Sequence, residues 1–372
     1  MGSNLISAFL SGNLTGWIVP FLFVLTIIVF FHELGHFLIA RLCGIKVLVF
    51  SIGFGPELIG FNDRHGTRWR ISAIPLGGYV KFFGDENEAS VPDAATLAAM
   101  TEEERRQSFP GQPVGNRAAV VAAGPITNFI LAMVIFAGVF MAFGKTTIIP
   151  RIATVAPDSP AATAGFKKGD VIVSIDDTRI ENFSDVQRIV SFNAGVPLTI
   201  VVDRGGSLLT LKATPAERDK RGVLGITRSN EPGDVRTDPV TPLKAVQLGA
   251  ERTWLVVSTS LTYLHDVVVG KQSAEQIGGP IKIAQLSGEV AKLGFAALLE
   301  LTALLSASVG LLNLFPIPLL DGGHLLFYAI EVVRGRPLSE RAQEVGFRIG
   351  LAIVSMLMIF VIGNDLHLWS WS

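Results

Sequence analysis

Charge is scarce in this sequence. Only 17% of its 372 residues are Asp, Glu, Lys or Arg, where a soluble chain of this size carries about a quarter. With 49% hydrophobic residues and a mean hydropathy of +0.47, the balance excludes an ordinary water-soluble domain and points to a membrane protein. Net charge is −1 and no long basic tract is present, so nothing supports a nucleic-acid partner. Cysteine is nearly absent. Cys43 alone rules out an internal disulfide, and its place at the end of an apolar run reads as packing. The first 16 residues lack Lys and Arg, and no small-residue cleavage site follows the first apolar run. A cleavable signal is therefore not expected, and the first hydrophobic segment is expected to be kept.

What the sequence does have is long apolar runs. Four are long enough to span a bilayer, which takes about 20 helical residues: the end of segment 1–43 from Trp17, then 118–143, 293–320 and 347–364. Residues 41–117 hold nine Lys/Arg and 334–348 hold four arginines, while residues 1–16 and the tail after Gly363 hold none. The positive-inside rule then puts both termini outside, with 41–117 and 317–346 in the cytoplasm. The run 253–269 is hydrophobic but short and contains His265 and Asp266, so it is expected to lie on the membrane rather than cross it.

Segment 44–117 alternates apolar and polar residues around turn signals (NDRHG, PLGGY) and predicts a small membrane-associated β-sheet followed by a solvated loop. The stretch 148–216 predicts strands around an amphipathic helix, SDVQRIVSF, with Ser184 or Asp185 as its cap. Its run SPAATAGFKKGDVIVSIDD resembles the PDZ domain, an α+β module that binds peptides by strand addition. One copy is expected, outside the membrane, with 217–292 as an extracytoplasmic linker and amphipathic helix. The expected fold class is thus membrane α-helical: four transmembrane helices, a small sheet after the first, and one PDZ domain.

The chemistry sits in FHELGHFLI, residues 31–39. Ionisable groups at membrane depth are expensive and mark function. His32 and His36 are four apart and share a helix face, with Glu33 beside the first: the H-E-x-x-H pattern in which two imidazoles hold zinc and the glutamate handles protons. Catalytic zinc takes three protein ligands, so one more is needed. Asp321, in NLFPIPLLDGGH at the cytoplasmic end of the third span, lies at the same depth as the histidines. His324, three residues further and nearer water, and Glu300, near the opposite face, are the rivals.

Taken together, FHELGHFLIARLCGIKV, GFGP, IPLGGYVKF, AGPITNF and NLFPIPLLDGGHL resemble the site-2 protease family of intramembrane zinc metalloproteases, in its regulator-of-sigma-E protease branch. The resemblance covers nearly the whole chain, although members of that branch carry two tandem PDZ domains and this chain shows one. It implies Zn2+ held by His32, His36 and Asp321, with Glu33 as catalytic acid/base. It implies substrates that are single-span membrane proteins, such as anti-sigma factors or remnant signal peptides, and a home in the bacterial inner membrane. A helical substrate must be unwound, and lipid offers its backbone no partners. The sheet of residues 44–84 could supply them by strand addition, helped by the broken segment carrying Asn313, Pro316 and Pro318. Gly53 and Gly55 are expected to allow a tight turn near the site. Asn128, in GPITN, resembles the family's second-span motif and reads equally as substrate-facing or as packing.

Overall fold

The computed structural model describes residues 14–85, 99–218, 221–229, 231–270, 274 and 278–366. The N-terminal residues 1–13, residues 86–98 of the expected solvated loop, and the tail 367–372 lie outside the described residues. The chain opens with α1 (Leu14–Leu42), β1 (Val47–Asn62), β2 (Arg68–Phe82), the short α2 (Glu102–Gln107) and α3 (Val114–Phe143). Shorter elements follow: β3 (Lys145–Ile148), β4 (Ile152–Val155), α4 (Pro160–Thr163), β5 (Val171–Ile175), β6 (Thr178–Arg179) and α5 (Phe183–Phe192). Next come β7 (Leu198–Arg204), β8 (Ser207–Ala213), β9 (Ala216–Arg218), β10 (Arg221–Val223), β11 (Ile226–Arg228) and β12 (Val235–Asp238). Five helices complete the chain: α6 (Pro242–Val268), α7 (Pro280–Lys292), α8 (Phe295–Asn313), α9 (Asp321–Arg334) and α10 (Glu340–Asp365).

The chain divides into two compact units, one built from the segments up to Val139 and from Leu243 onward, the other from Phe140–Pro242. In the first, α1, α3, α8 and α10 contribute four stretches long and apolar enough to cross a membrane: Gly16–Leu42, Val114–Phe143, Phe295–Asn313 and Arg341–Asp365. All but the last residue of the run 253–269 belongs to the continuous helix α6, which is not among those four. Glycine sets its contact with α3: a Cβ on Gly249 would lie 3.0 Å from the Ala137 nitrogen. Helix α7 packs on the start of α1, where a Cβ on Gly288 would meet the Trp17 Cα at 3.1 Å. The far end of α10 reaches the same helix. The Asp365 carboxylate accepts the N–H groups of Gly279, Ile281 and Lys282 at 2.8, 3.1 and 3.1 Å, capping α7 where its own N-cap glycine offers no side chain.

Strands β1 and β2 form one antiparallel hairpin that bends back on itself. Phe50 pairs with both Val80 and Trp69, and Ser51 with both Tyr79 and Arg70. The segment 47–52 is therefore flanked on both sides, and Gly78–Phe82 becomes an outer edge. The predicted turn NDRHG is the hairpin tip. Asp63 there accepts bonds from the N–H groups of His65 and Thr67 and from the Arg41 guanidinium at the end of α1, which fastens the sheet to that helix. Burial opposes the Asp63 charge, but these donors and the Trp69 indole hold its carboxyl down at about 2. The hydrophobic cluster of Phe37, Phe50, Phe82, Phe109, Val120 and Tyr328 joins α1, the sheet, α3 and α9, and Cys43 packs against it.

The second unit has a four-stranded sheet in the order β6-β5-β7-β8 around a core of Ile172, Ile175, Ile200, Val202 and Val186. The turn at residues 204–206 joins β7 to β8. The unit is longer than the expected 148–216, and residues 217–238 are not linker. Pairing of β3 with β12 and of β4 with β11 draws the following segment in. Helix α5 is capped by Asn182 rather than by Ser184 or Asp185; Asp185 stands at the third helical position and closes a capping box back onto Asn182. Inside this unit the buried Asp170 accepts two bonds from Arg204, both 2.7 Å, and the Lys167 N–H at 2.9 Å.

Candidate metal centre

Helix α1 presents His32 and His36 one turn apart, and glycines let α3 approach their rings. A Cβ on Gly35 would lie 2.8 Å from the Ala123 carbonyl carbon, and one on Gly124 would lie 2.6 Å from His36 Cε1 and 2.8 Å from His32 Cε1. The His36 Nδ1–H donates to the Val120 carbonyl at 2.8 Å. That bond fixes the tautomer, leaving Nε2 with its lone pair free. On the other ring, Nδ1 of His32 lies 3.2 Å from the Asn128 amide nitrogen.

Asp321 arrives by a different route from the one expected. Helix α8 stops at Asn313, the segment Leu314–Leu320 is irregular with Leu319 at φ 125, and Asp321 opens a new helix, α9. The two prolines, Pro316 and Pro318, lie within this break and keep it from continuing α8. The Gly-Gly after Asp321 is a packing requirement. Cβ atoms there would come within 2.6 Å of Pro318 Cα and closer still to the carbonyls of Leu314 and Phe315. The first turn of α9 is thus tucked beneath the loop, and its N-terminal dipole favours the Asp321 charge.

These elements bring three ligands together. His32 Nε2 and His36 Nε2 are 3.2 Å apart; Asp321 Oδ2 is 3.2 Å from the first, and Asp321 Oδ1 is 3.6 Å from the second. Tetrahedral coordination at about 2.0–2.2 Å separates neighbouring ligand atoms by about 3.3–3.6 Å. With one oxygen taken from Asp321, the three ligand atoms lie within 4.8 Å of one another, close enough to share one ion. Asp321 Oδ2 is also buried with no hydrogen-bond partner, as an anionic ligand atom awaiting a cation would be. Among the described residues, His32, His36 and Asp321 form the one group able to hold a metal ion. His324 and Glu300 stand outside it.

A cavity of about 210 Å³ opens at this centre, lined by Glu33, Gly78, Tyr79, Val80, Phe82, Phe109, Val120, Val121, Asp321, His324 and Tyr328 together with the two histidines. Glu33 therefore faces the cavity without belonging to the ligand group. His324 lines it from α9 with its ring 5.4 Å from that of Phe347, and burial pushes its imidazole below the ordinary value. Gly53 and Gly55, at φ 87 and 84, do not line the cavity; they bend β1 so that Phe54 stacks 6.1 Å from Tyr79, which does. Asn313 lies at the last turn of α8, and neither it, Pro316 nor Pro318 is among the lining residues. The cavity-facing edge 78–82 and Gly124 were not singled out from the sequence. For Gly124 a signal existed, four residues before Asn128 in AGPITNF.

Comparison with known proteins agrees with this chemistry. The model of Peptidase family M50 matches residues 20–357. Proteins of Agrobacterium fabrum and Rhizobium meliloti, each named "putative zinc metalloprotease", are both 49% identical, covering 96% and 95% of this chain and 97% of their own lengths. The metalloprotease MmpA of Caulobacter vibrioides is 41% identical over 94% of this chain and 95% of its own. Family match, identity along almost the full length, and a ligand set of the zinc-binding kind agree, and the chain belongs to peptidase family M50, the site-2 proteases, as a multi-pass membrane zinc metalloprotease.

Proposed function

We propose that this protein cleaves the transmembrane segments of single-span membrane proteins inside the bilayer, as members of the regulator-of-sigma-E branch do. One observation carries the reading: the two histidine ligands sit on a helix apolar enough to cross a membrane, at a cavity whose wall is an outer strand. Zinc, when bound, lowers the pKa of a coordinated water toward about 7 and polarises the scissile carbonyl. Glu33 takes the attacking water's proton and delivers it to the leaving amine. Among the described residues, Gly78–Phe82 pairs only with β1, so its outer N–H and C=O groups are available to an unwinding substrate. An added strand replaces the hydrogen bonds that the substrate helix gives up. Asn313, Pro316 and Pro318 steady the extended segment from the break after α8.

The proposed sidedness puts both termini and the second unit outside the cytoplasm, in the bacterial inner membrane. The Lys/Arg asymmetry supports it, and so does α7, which meets the start of α1 and the end of α10 at one end of the bundle. We read the second unit as a single PDZ domain that governs substrate admission. A groove of about 200 Å³ between α5 and Gly222–Ile226 has room for an extended peptide. Anti-sigma factors already trimmed by another protease, and remnant signal peptides, are the proposed substrates. The test is reconstitution with a single-span model substrate, followed by mass spectrometry of the products. Cleavage within the apolar segment that vanishes in Glu33→Gln supports the proposal. Cleavage only in water-exposed loops refutes it.

A further inference from the structure

Asn128 is fully buried, with its side chain against the ring that carries one of the metal ligands. Its surroundings hold it there. The Ser306 hydroxyl on α8 donates to the Asn128 carbonyl at 2.9 Å, and a Cβ on Gly310 would lie 3.2 Å from the Asn128 Cβ. The amide nitrogen faces His32 Nδ1 at 3.2 Å, while Oδ1 is buried with no partner. An amide oxygen left unsatisfied in the interior costs its full desolvation. The arrangement has a chemical meaning. An amide N–H toward Nδ1 requires a lone pair there, which puts the neutral ring's proton on Nε2, the atom that faces Asp321 at 3.2 Å. A ring in that tautomer offers no lone pair to a cation.

A half-turn of the amide about its Cβ–Cγ bond exchanges the two ends within the same volume. With the ring's one proton given up from Nε2 and regained at Nδ1 by exchange with water in the cavity, Oδ1 accepts the His32 Nδ1–H, the orphaned oxygen gains its partner, and Nε2 presents a lone pair to the centre. His36 already has this arrangement through Val120. We propose that Asn128 is a positioning residue for the metal centre: its side-chain carbonyl holds His32 in the Nδ1–H tautomer and the amide turns when the metal binds. This gives Asn128 a role toward the ligand rather than toward substrate, and it rests on His32, His36 and Asp321 being the ligand set.

The experiment uses the full chain purified in detergent and zinc alone as the probe, with affinity read by competition against a chromophoric chelator. Loss of an outer hydrogen bond to a ligating histidine costs about 10–100-fold in metal affinity. Asn128→Leu, similar in volume but with no acceptor, is expected to weaken zinc binding by that factor while the metal-free protein unfolds at an unchanged temperature. Asn128→Asp, which offers an oxygen from either face, is expected to keep affinity within about threefold of the parent. Should the Leu variant fail to fold, Asn128→Ala, which introduces no clash, takes its place. Parental zinc affinity in a folded Leu or Ala variant overturns the proposal, as does an equal loss in the Asp variant. His32→Ala in the same assay separates the two readings: if it keeps zinc, the ligand set itself is wrong.

Discussion

Gly124→Ala puts the packing of the centre to a direct test, because two effects of opposite sign act on one methyl group. Alanine in a helix interior is favoured over glycine by about 0.8–1.0 kcal/mol. The new Cβ, however, would lie 2.6 Å from His36 Cε1 and 2.8 Å from His32 Cε1, where carbon–carbon contacts settle at about 3.5–4.0 Å. The rings must retreat by about 0.7–1.4 Å. Without metal they can do so, because an imidazole turns on its own χ angles, and the helix preference then leaves the apoprotein as stable as the parent or slightly more. With metal they cannot, because ligand distances tolerate about 0.2 Å. Overpacking of about 1–3 kcal/mol therefore falls on the loaded state alone and weakens zinc by about 5- to 150-fold. The assay pairs chelator competition with thermal unfolding of the metal-free protein. An alanine variant that binds zinc within about twofold of the parent refutes the packing argument.

Glu33→Gln keeps the size of the side chain and removes its ability to take a proton. Cleavage is expected to fall by about 10²–10⁴-fold with zinc per chain unchanged, while Asp321→Asn is expected to lose zinc because an amide is a poor substitute for an anionic ligand; metal analysis and cleavage of a model substrate read both. Asp365→Ala strips three N–H groups of their acceptor and is expected to cost about 1–2 kcal/mol, visible as faster hydrogen exchange at Ile281 and Lys282; unchanged exchange there would sink the idea. In the second unit, burial works against the Asp170 charge, but Arg204 and the Lys167 N–H hold its carboxyl below the usual range. A depressed folded-state value means stability that is complete above about pH 5 and is lost as pH falls below about 4. Pulse proteolysis of residues 140–242 in the full chain should show that acid weakening, and Asp170→Asn should flatten it.

What could be read in advance was whatever has a period or a charge in the wrong place. His32 and His36 stand four apart in an apolar run, and helical geometry alone puts them on one face. The four apolar runs needed only a count of residues against bilayer thickness. Asp321 was reachable by depth, yet its helix was not: residues 321–334 are too short and too polar to stand out, and the break before them read simply as the end of a span. The strands 216–238 escaped for a related reason. Each is three or four residues long, below the length at which alternation can be recognised; β9 and β10 pair only with each other, and β11 and β12 exist because the distant β4 and β3 pair with them.

The least legible part was the part that shapes the centre. Polar residues announce themselves in a membrane helix because they cost free energy there; glycines do not. Gly35, Gly124, Gly322 and Gly323 each mark a place where a Cβ would strike a neighbouring ring or backbone, but a glycine in an apolar helix has several ordinary explanations. Only coordinates tell them apart. Asn128 shows the complementary case. Its polarity was visible, but whether its amide meets substrate or ligand depends on which helix crosses α3 at that turn, and that crossing is set by Gly35 against Ala123. The ligands of this centre are written in residue chemistry, whereas their geometry is written in the residues that leave space.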